Sequence, residues 1–326
     1  MKTVGFFNNK GGVGKTTLVY HVAWMLGLLG QRVLAVDLDP QANLTSMFLS
    51  EERLETIWEQ TPRPTLHGAV APQFRGVGDI AAATIEPVHE RVGLLAGDLE
   101  LARFEDQLAL AWPSAGDGDE RAFRVLSAFA RVIAEAGAAF EADLALVDVG
   151  PNLGALNRAA LLACDHIVVP LGADLFSLQG LRNMGPTLRD WREGWARRRE
   201  KNPDPGLALP AGTIAPIGYV VMRHSVLAGR PARAFSKWIG RIPGQYRQFM
   251  LDRPEPAEAG IEADPNQIAR LKDYRSLMPL AQEAHKPMFL LRPADGAFGG
   301  HQGAVTACYD DFAALAREVA QRAGLE

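Results

Sequence analysis

Nine consecutive residues, Asn9-Lys10-Gly11-Gly12-Val13-Gly14-Lys15-Thr16-Thr17, constrain this chain more than any other stretch. They follow Thr3-Val4-Gly5-Phe6-Phe7, which is short, apolar and β-prone. They lead into an apolar run from Thr16 that predicts a helix to about Gly30. The order strand, glycine-rich loop, helix places converging backbone N–H groups at a helix N-terminus, which is a natural anion site. In such a loop Gly11, Gly12, Val13 and Gly14 wrap phosphates, Lys15 reaches the β- and γ-phosphates, the Thr16 hydroxyl ligates Mg²⁺ and Thr17 bonds the α-phosphate. Two details depart from the common G-x-x-x-x-G-K-[ST] pattern: Asn9 stands at its first glycine, and Lys10 adds a second cation.

Two acidic strand ends accompany the loop. Arg32-Val33-Leu34-Ala35-Val36 runs into Asp37-Leu38-Asp39-Pro40-Gln41. Acids at i and i+2 on a strand face the same side. Beside a bound nucleotide, one can hold metal-bound water and the other can position the attacking water. Leu144-Ala145-Leu146-Val147 likewise ends in Asp148-Val149-Gly150-Pro151, an apolar strand whose carboxylate suits Mg²⁺ through water. A fourth segment, Cys164-Asp165-His166-Ile167-Val168-Val169-Pro170-Leu171 followed by Asp174 to Leu181, reads as strand, proline and helix, a fold signal rather than a site.

Together these motifs resemble the ParA/MinD family of deviant-Walker ATPases, and most the ParA branch, from Lys2 to about Val319. The resemblance implies a homodimer that sandwiches ATP and Mg²⁺, hydrolyses ATP slowly, and binds double-stranded DNA without sequence preference. It also implies a ParB-like or other activating partner protein. By the same resemblance Lys10 crosses into the partner's site as a cationic clamp, Asp39 polarises the attacking water, and Asp37 lies near the metal with Thr16 and Asp148. Adenine would be met near Met222 and Arg223. Relatives usually carry two prolines where this chain has Gly150-Pro151, which puts the stiffness of that loop in question.

The whole chain alternates strand and helix. Strands are expected near 3–7, 32–37, 92–96, 144–149, 166–170, 214–222 and 287–291. Helices are expected near 15–29, 98–111, 120–140, 154–163, 178–200, 231–251, 265–271 and 306–323. That pattern predicts an α/β fold, a mostly parallel twisted sheet flanked by helices on both faces, of the P-loop NTPase type. The nucleotide should sit at the strand C-terminal ends. One domain over residues 1–326 is expected, with insertions at about 51–90 and 195–265, a turn-rich loop at 113–119, and no N-terminal helix-turn-helix.

Net charge is −4, but its distribution is uneven. Residues 37–120 hold 16 acids against 5 Lys/Arg, whereas 182–201 hold 7 basic residues against 3 acids and 223–253 hold 7 against Asp252 alone. Such separation suggests a surface facing a polyanion. The DNA-binding candidates are Arg189, Arg192 and Arg199 on one helical face, with Arg230, Arg233, Lys237 and Arg241. Trp191, Trp195 and Trp238 among them read as core anchors rather than base-stacking platforms.

Two cysteines, Cys164 and Cys308, make neither a disulfide framework nor a metal pair, and fit a reducing cytoplasm. No apolar run spans a membrane. A nucleoid-associated cytoplasmic protein is the expectation. A MinD-like membrane or protein-positioning ATPase is the alternative, but it needs a basic amphipathic terminal helix. Phe312, Leu315, Ala316 and Val319 instead form a core-type stripe. An ATP-dependent metabolic ligase on the same fold would need a small-molecule pocket beside the γ-phosphate, and Lys10 and the D-x-D-P-Q run favour the partition branch. An iron–sulfur relative would need a cysteine just after a switch motif, which neither cysteine supplies.

Overall fold

The structure is a computed structural model that describes residues 1–224, 226–227, 230–231, 237–253, 260–274 and 276–325; side chains at 223, 224, 226, 227, 230 and 231 lie outside the description. Its centre is an eight-stranded sheet. In chain order the strands are β1 (Lys2–Phe6), β2 (Val33–Leu38), β3 (Glu86–His89), β4 (Val92–Leu95), β5 (Leu144–Val149), β6 (His166–Gly172), β7 (Ala215–His224) and, after the short pair β8 (Val226–Leu227) and β9 (Arg230–Pro231), β10 (Gln267–Lys272). The spatial order is β10-β7-β6-β1-β5-β2-β4-β3. All pairs are parallel except β3 with β4 at one edge. Every residue of β2 and β5 is buried, which is why both read as unbroken apolar runs rather than alternating ones.

Alternate residues serve opposite faces. Leu34, Val36, Ala145 and Val147 pack into a core with α4 (Leu66–Arg75), α5 (Glu105–Gly116), α6 (Glu120–Leu126), α7 (Ala128–Ala139), α8 (Ala155–Leu162) and α9 (Leu175–Arg199). Val33, Ala35, Leu144 and Leu146 pack into a second core with α1 (Lys15–Leu28), α3 (Glu51–Glu59), α11 (Met278–Glu283) and α12 (Gly300–Arg322). Short helices among the described residues include α2 (Asn43–Phe48) and α10 (Ile242–Gln245), the latter continued by a wider turn to Met250. The α/β sheet with helices on both faces is the fold expected. The stripe Phe312, Leu315, Ala316 and Val319 is buried in the second core, as its spacing predicts. Trp191 and Trp195 are buried in the first core and Trp238 packs against it. Among the described residues no helix is long and apolar enough to cross a membrane.

Local expectations fail where tertiary pairing decides. The helix expected over 265–271 is β10, an edge strand laid parallel to β7. The Tyr219 hydroxyl donates to buried Asp264 at 2.5 Å and the Tyr219 amide to Asn266 O at 2.9 Å, so β7 guides the segment into line. The strand expected over 287–291 is a tight turn, Met288–Leu290, seated on α12. Residues 51–90 contain α3 and α4, started by Ser50 and Thr65, whose side chains accept from Arg53 N and Gly68 N at 3.3 Å. The expected loop at 113–119 is largely α5, which carries Pro113 inside it. The helix expected over 120–140 is divided at Ser127 into α6 and α7. Of the helix expected over 231–251, residues 232–236 lie outside the description.

Candidate nucleotide-binding site

The loop between β1 and α1 has the backbone its glycines suggest. Gly12 and Gly14 hold φ at +73° and +91°, and Gly14 is the N-cap of α1. A Cβ at Gly11 or Gly12 would meet nothing within 4 Å, so the loop's outer wall is open for an anion. Asn8 ties the loop to the sheet: its amide donates to Pro170 O at 2.5 Å and its Oδ1 accepts from Lys10 N at 2.9 Å.

Below the loop three acids meet at adjacent strand ends. Asp37 and Asp148 are register partners on β2 and β5. Lys15 Nζ donates to Asp148 Oδ1 at 2.5 Å and stands 4.0 Å from Asp39 Oδ2, while Thr16 Oγ1 donates to Asp148 Oδ2 at 2.7 Å. Asp37 and Asp148 are fully buried, and Lys15 and Asp39 nearly so. Burial pushes the Asp148 carboxyl up, against the pull of the Lys15 ammonium. Asp37 is pushed up to about 7, first by burial and then by the charge of Asp148.

Asp37 is committed differently from its neighbour. Its Oδ2 accepts from Thr45 N at 2.8 Å and Thr45 Oγ1 at 2.7 Å, and that hydroxyl accepts from Gly97 N at 2.8 Å. A Cβ on Gly97 would fall 2.8 Å from Asp37 Cγ, so only glycine allows this approach. Asp37 therefore anchors α2 to the site, and the described contacts bring Thr16 and Asp148, but not Asp37, to one another. Asp39 Oδ1 accepts from Gln41 N at 3.0 Å, and Ala42 then turns the chain with φ at +52°.

The donor set fits a Mg²⁺-nucleotide. It offers a lysine, a hydroxyl and carboxylates, all hard ligands or phosphate partners, beneath an open amide cradle. Among the described residues no three His, Cys, Asp or Glu side chains group to hold a metal by themselves. Thr16 and Asp148 are the side chains that could contact such an ion, with phosphates and water supplying its other ligands.

Lys10 points away from this cluster. Its Nζ donates to Asp174 Oδ2 at 2.6 Å and lies 5.8 Å from the Phe176 ring centre. Asp174 also starts α9, accepting from Ser177 N at 2.9 Å. Burial works against its charge, but Lys10 and the Ser177 amide hold it below the usual carboxylate range. The segment taken from sequence as only a fold signal thus carries the partner of Lys10.

Beside Gly14 opens a cavity of about 430 Å³ lined by Thr17, Met222, Leu271, Tyr274, Met288 and Phe312 among others. Met222 was expected here, and its Cε lies 3.2 Å from where a Gly14 Cβ would stand. The side chain of Arg223 lies outside the description. The 271–274 wall escaped the sequence reading because β10 was taken for a helix.

The basic candidates are scattered and partly used. Arg189 is ion-paired with Asp252 beside Arg192, Arg199 is exposed with a long 3.4 Å contact to Ala211 O, and Arg192 is exposed. Arg198 and Lys201 donate to Trp112 O and Gly116 O at 2.7 and 2.6 Å. Lys237 and Arg241 are exposed and flank Trp238 at 4.9 and 5.4 Å. Arg233 and the Arg230 side chain lie outside the description.

Comparison with known proteins settles the family. The family described as an AAA domain matches residues 1–198. A Sinorhizobium fredii protein named as a replication protein A is 31% identical over 294 residues, covering 85% of this chain and 65% of that protein. The chromosome-partitioning ATPase Soj of Thermus thermophilus is 30% identical over 200 residues, 60% of this chain and 64% of Soj. The chain belongs to the ParA/MinD family of P-loop ATPases. It spans less than two thirds of the length of these curated relatives. Two solved structures share the family fold across the chain. Protein DIP2308 of Corynebacterium diphtheriae is 24% identical with a TM-score of 0.73, covering 99% of this chain and 98% of its own. A Cyanothece McdA variant in complex with ATP is 16% identical with a TM-score of 0.67, covering 100% and 97%.

Proposed function

We propose that this ParA/MinD-family chain is an ATP-driven switch: two subunits sandwich Mg²⁺-ATP, the dimer grips DNA without sequence preference, and slow hydrolysis, stimulated by a ParB-like partner, releases it to partition DNA or position cargo in the cytoplasm, on the nucleoid. The observation that carries the reading is the division of labour between two lysines of one loop. Lys15 is buried against Asp148, whereas Lys10 is held outward by a partly exposed aspartate at 2.6 Å. A lysine that served the same phosphates would lie with Lys15. A lysine aimed along the outer edge can serve a second subunit.

Each residue then has a task that its present contacts make possible. Lys15 exchanges the Asp148 carboxylate for β- and γ-phosphate oxygens. Thr16 and Asp148, thereby freed, would hold Mg²⁺, whose charge would offset that developing on the phosphates. Asp39 holds the attacking water, and Lys10 of the partner stabilises charge in transfer. Asp37, tied through Thr45, couples the site to α2. The cavity bounded by Met222, Leu271 and Tyr274 takes the base. The names of the relatives, chromosome-partitioning ATPase among them, support the biological setting.

The test is binding to random-sequence duplex DNA with ATP, with ADP and without nucleotide, at two salt concentrations, with Asp39→Ala alongside. Salt-sensitive binding only with ATP, prolonged by Asp39→Ala, is expected. An ATP dimer that ignores DNA would restrict the function to a protein cargo.

A further inference from the structure

Behind Asp39 lies a polar atom that the scheme above does not use. Asn157, the third residue of α8, is fully buried. Its amide nitrogen donates to Gly150 O at 2.8 Å, Asn152 O at 2.7 Å and Asn152 Oδ1 at 3.0 Å. Three acceptors around one NH₂ fix which way the amide faces, since a flip would set oxygen against oxygen. Asn157 Oδ1 is then directed where no described residue donates to it.

That direction is informative because of Gly150. A Cβ placed on Gly150 would lie 3.3 Å from Asn157 Oδ1, 3.5 Å from Asp39 Oδ1 and 3.4 Å from Asn157 Nδ2, whose hydrogens are engaged by Gly150 and Asn152. Two acceptors, one a carboxylate, therefore flank a space that any side chain at 150 would fill. The φ of Gly150 is not in the left-handed region, so conformation does not demand a glycine there.

We infer that Asn157 is a positioning residue for the attacking water, which donates one hydrogen to Asp39 and the other to Asn157 Oδ1 in the space left by Gly150. This rests on the ATPase reading above. With both hydrogens engaged, an oxygen lone pair is left to face the γ-phosphate. The water oxygen forms the new bond to phosphorus. The bond from that phosphorus to the β–γ bridging oxygen breaks and ADP departs with the electron pair. One water proton stays on the phosphate product and the other leaves to solvent.

The experiment compares wild type, Asn157→Ala and Gly150→Ala in steady-state and single-turnover hydrolysis, with ATP affinity and ATP-dependent dimer formation measured on the same samples. Gly150→Ala keeps the Asn157 side chain and sets a methyl 3.3 Å from its Oδ1 and 3.5 Å from Asp39 Oδ1, against the proposed water, so it remains decisive if Asn157→Ala fails to fold. Both variants are expected to lower kcat by about 10- to 100-fold with KM for ATP little changed, and to accumulate the ATP dimer. Wild-type kcat in Gly150→Ala, or a loss confined to ATP affinity, would overturn the inference while leaving the ATPase reading intact. No hydrolysis by the wild type would overturn both.

Discussion

Removing Lys15 separates two roles of one side chain, because the nucleotide-free protein already leans on it. Its ammonium is the cation at 2.5 Å from Asp148, a carboxylate with no exposed surface. Taking away one member of a buried pair costs about 3–5 kcal/mol, since the other charge is left without compensation. For 326 residues the unfolding entropy is on the order of 0.7 kcal/mol/K. Lys15→Met should therefore lower Tm by about 4–7 °C without nucleotide. The loss should depend on pH. Burial already raises Asp148, and without Lys15 its folded-state pKa moves further above the unfolded value of about 3.9. A carboxyl so raised has its stability intact below the unfolded pKa and loses it as pH rises through the folded pKa. The gap between variant and wild type should thus widen from about pH 5 to about pH 8, as Asp148 becomes harder to keep protonated. Melting curves by circular dichroism at both pH values measure it. An equal gap at both, or no gap, would refute the idea that Lys15 is the counter-charge of Asp148.

Three further outcomes follow from other contacts. The Lys10–Asp174 pair is about one third exposed on each side, so it contributes only ~0.2–1 kcal/mol; Asp174→Asn keeps the α9 cap, frees Lys10, and should tighten ATP-dependent dimerisation about 1.4- to 5-fold by analytical ultracentrifugation, with unchanged affinity counting against a resting role for the pair. His21 is fully buried between Thr17 O and Met288 N, and burial lowers it to about 4, so stability should fall as pH drops from about 6.5 towards 4 by up to about 3 kcal/mol; His21→Phe should flatten that slope in urea titrations, and an identical slope would exonerate the residue. In DNA titrations with ATP, Arg192→Ala should reduce the salt slope by about 1, whereas Arg189→Ala should do less because Asp252 already engages its guanidinium; equal effects would contradict that distinction.

The glycine-rich loop and the acid-ended strands were legible because each is contiguous in sequence. A strand, three glycines and Lys15-Thr16 carry their own geometry, and an apolar run ending in Asp37 or Asp148 marks a buried strand with its acid at the nucleotide end. The α12 stripe was legible for the same reason, since helical period alone brings Phe312, Leu315 and Val319 to one face. Strong propensity with short-range periodicity misled at 265–271, where Tyr219, some 45 positions away from Asp264, recruits the segment as a strand.

What only the tertiary structure decided is which side chains answer the motif residues across distance. Asp174 meets Lys10 from 164 positions away, and Lys15 meets Asp148 across 133. Thr45 engages Asp37 Oδ2 twice, and Asn157 Oδ1 and Asp39 Oδ1 both border the point where a Gly150 Cβ would stand. Sequence by itself determined the local backbone, because φ freedom, capping and hydrophobic period act within a few residues. Partners at one point of a parallel sheet depend on strand order and register. The crossovers of the chain set those, and no short pattern records them.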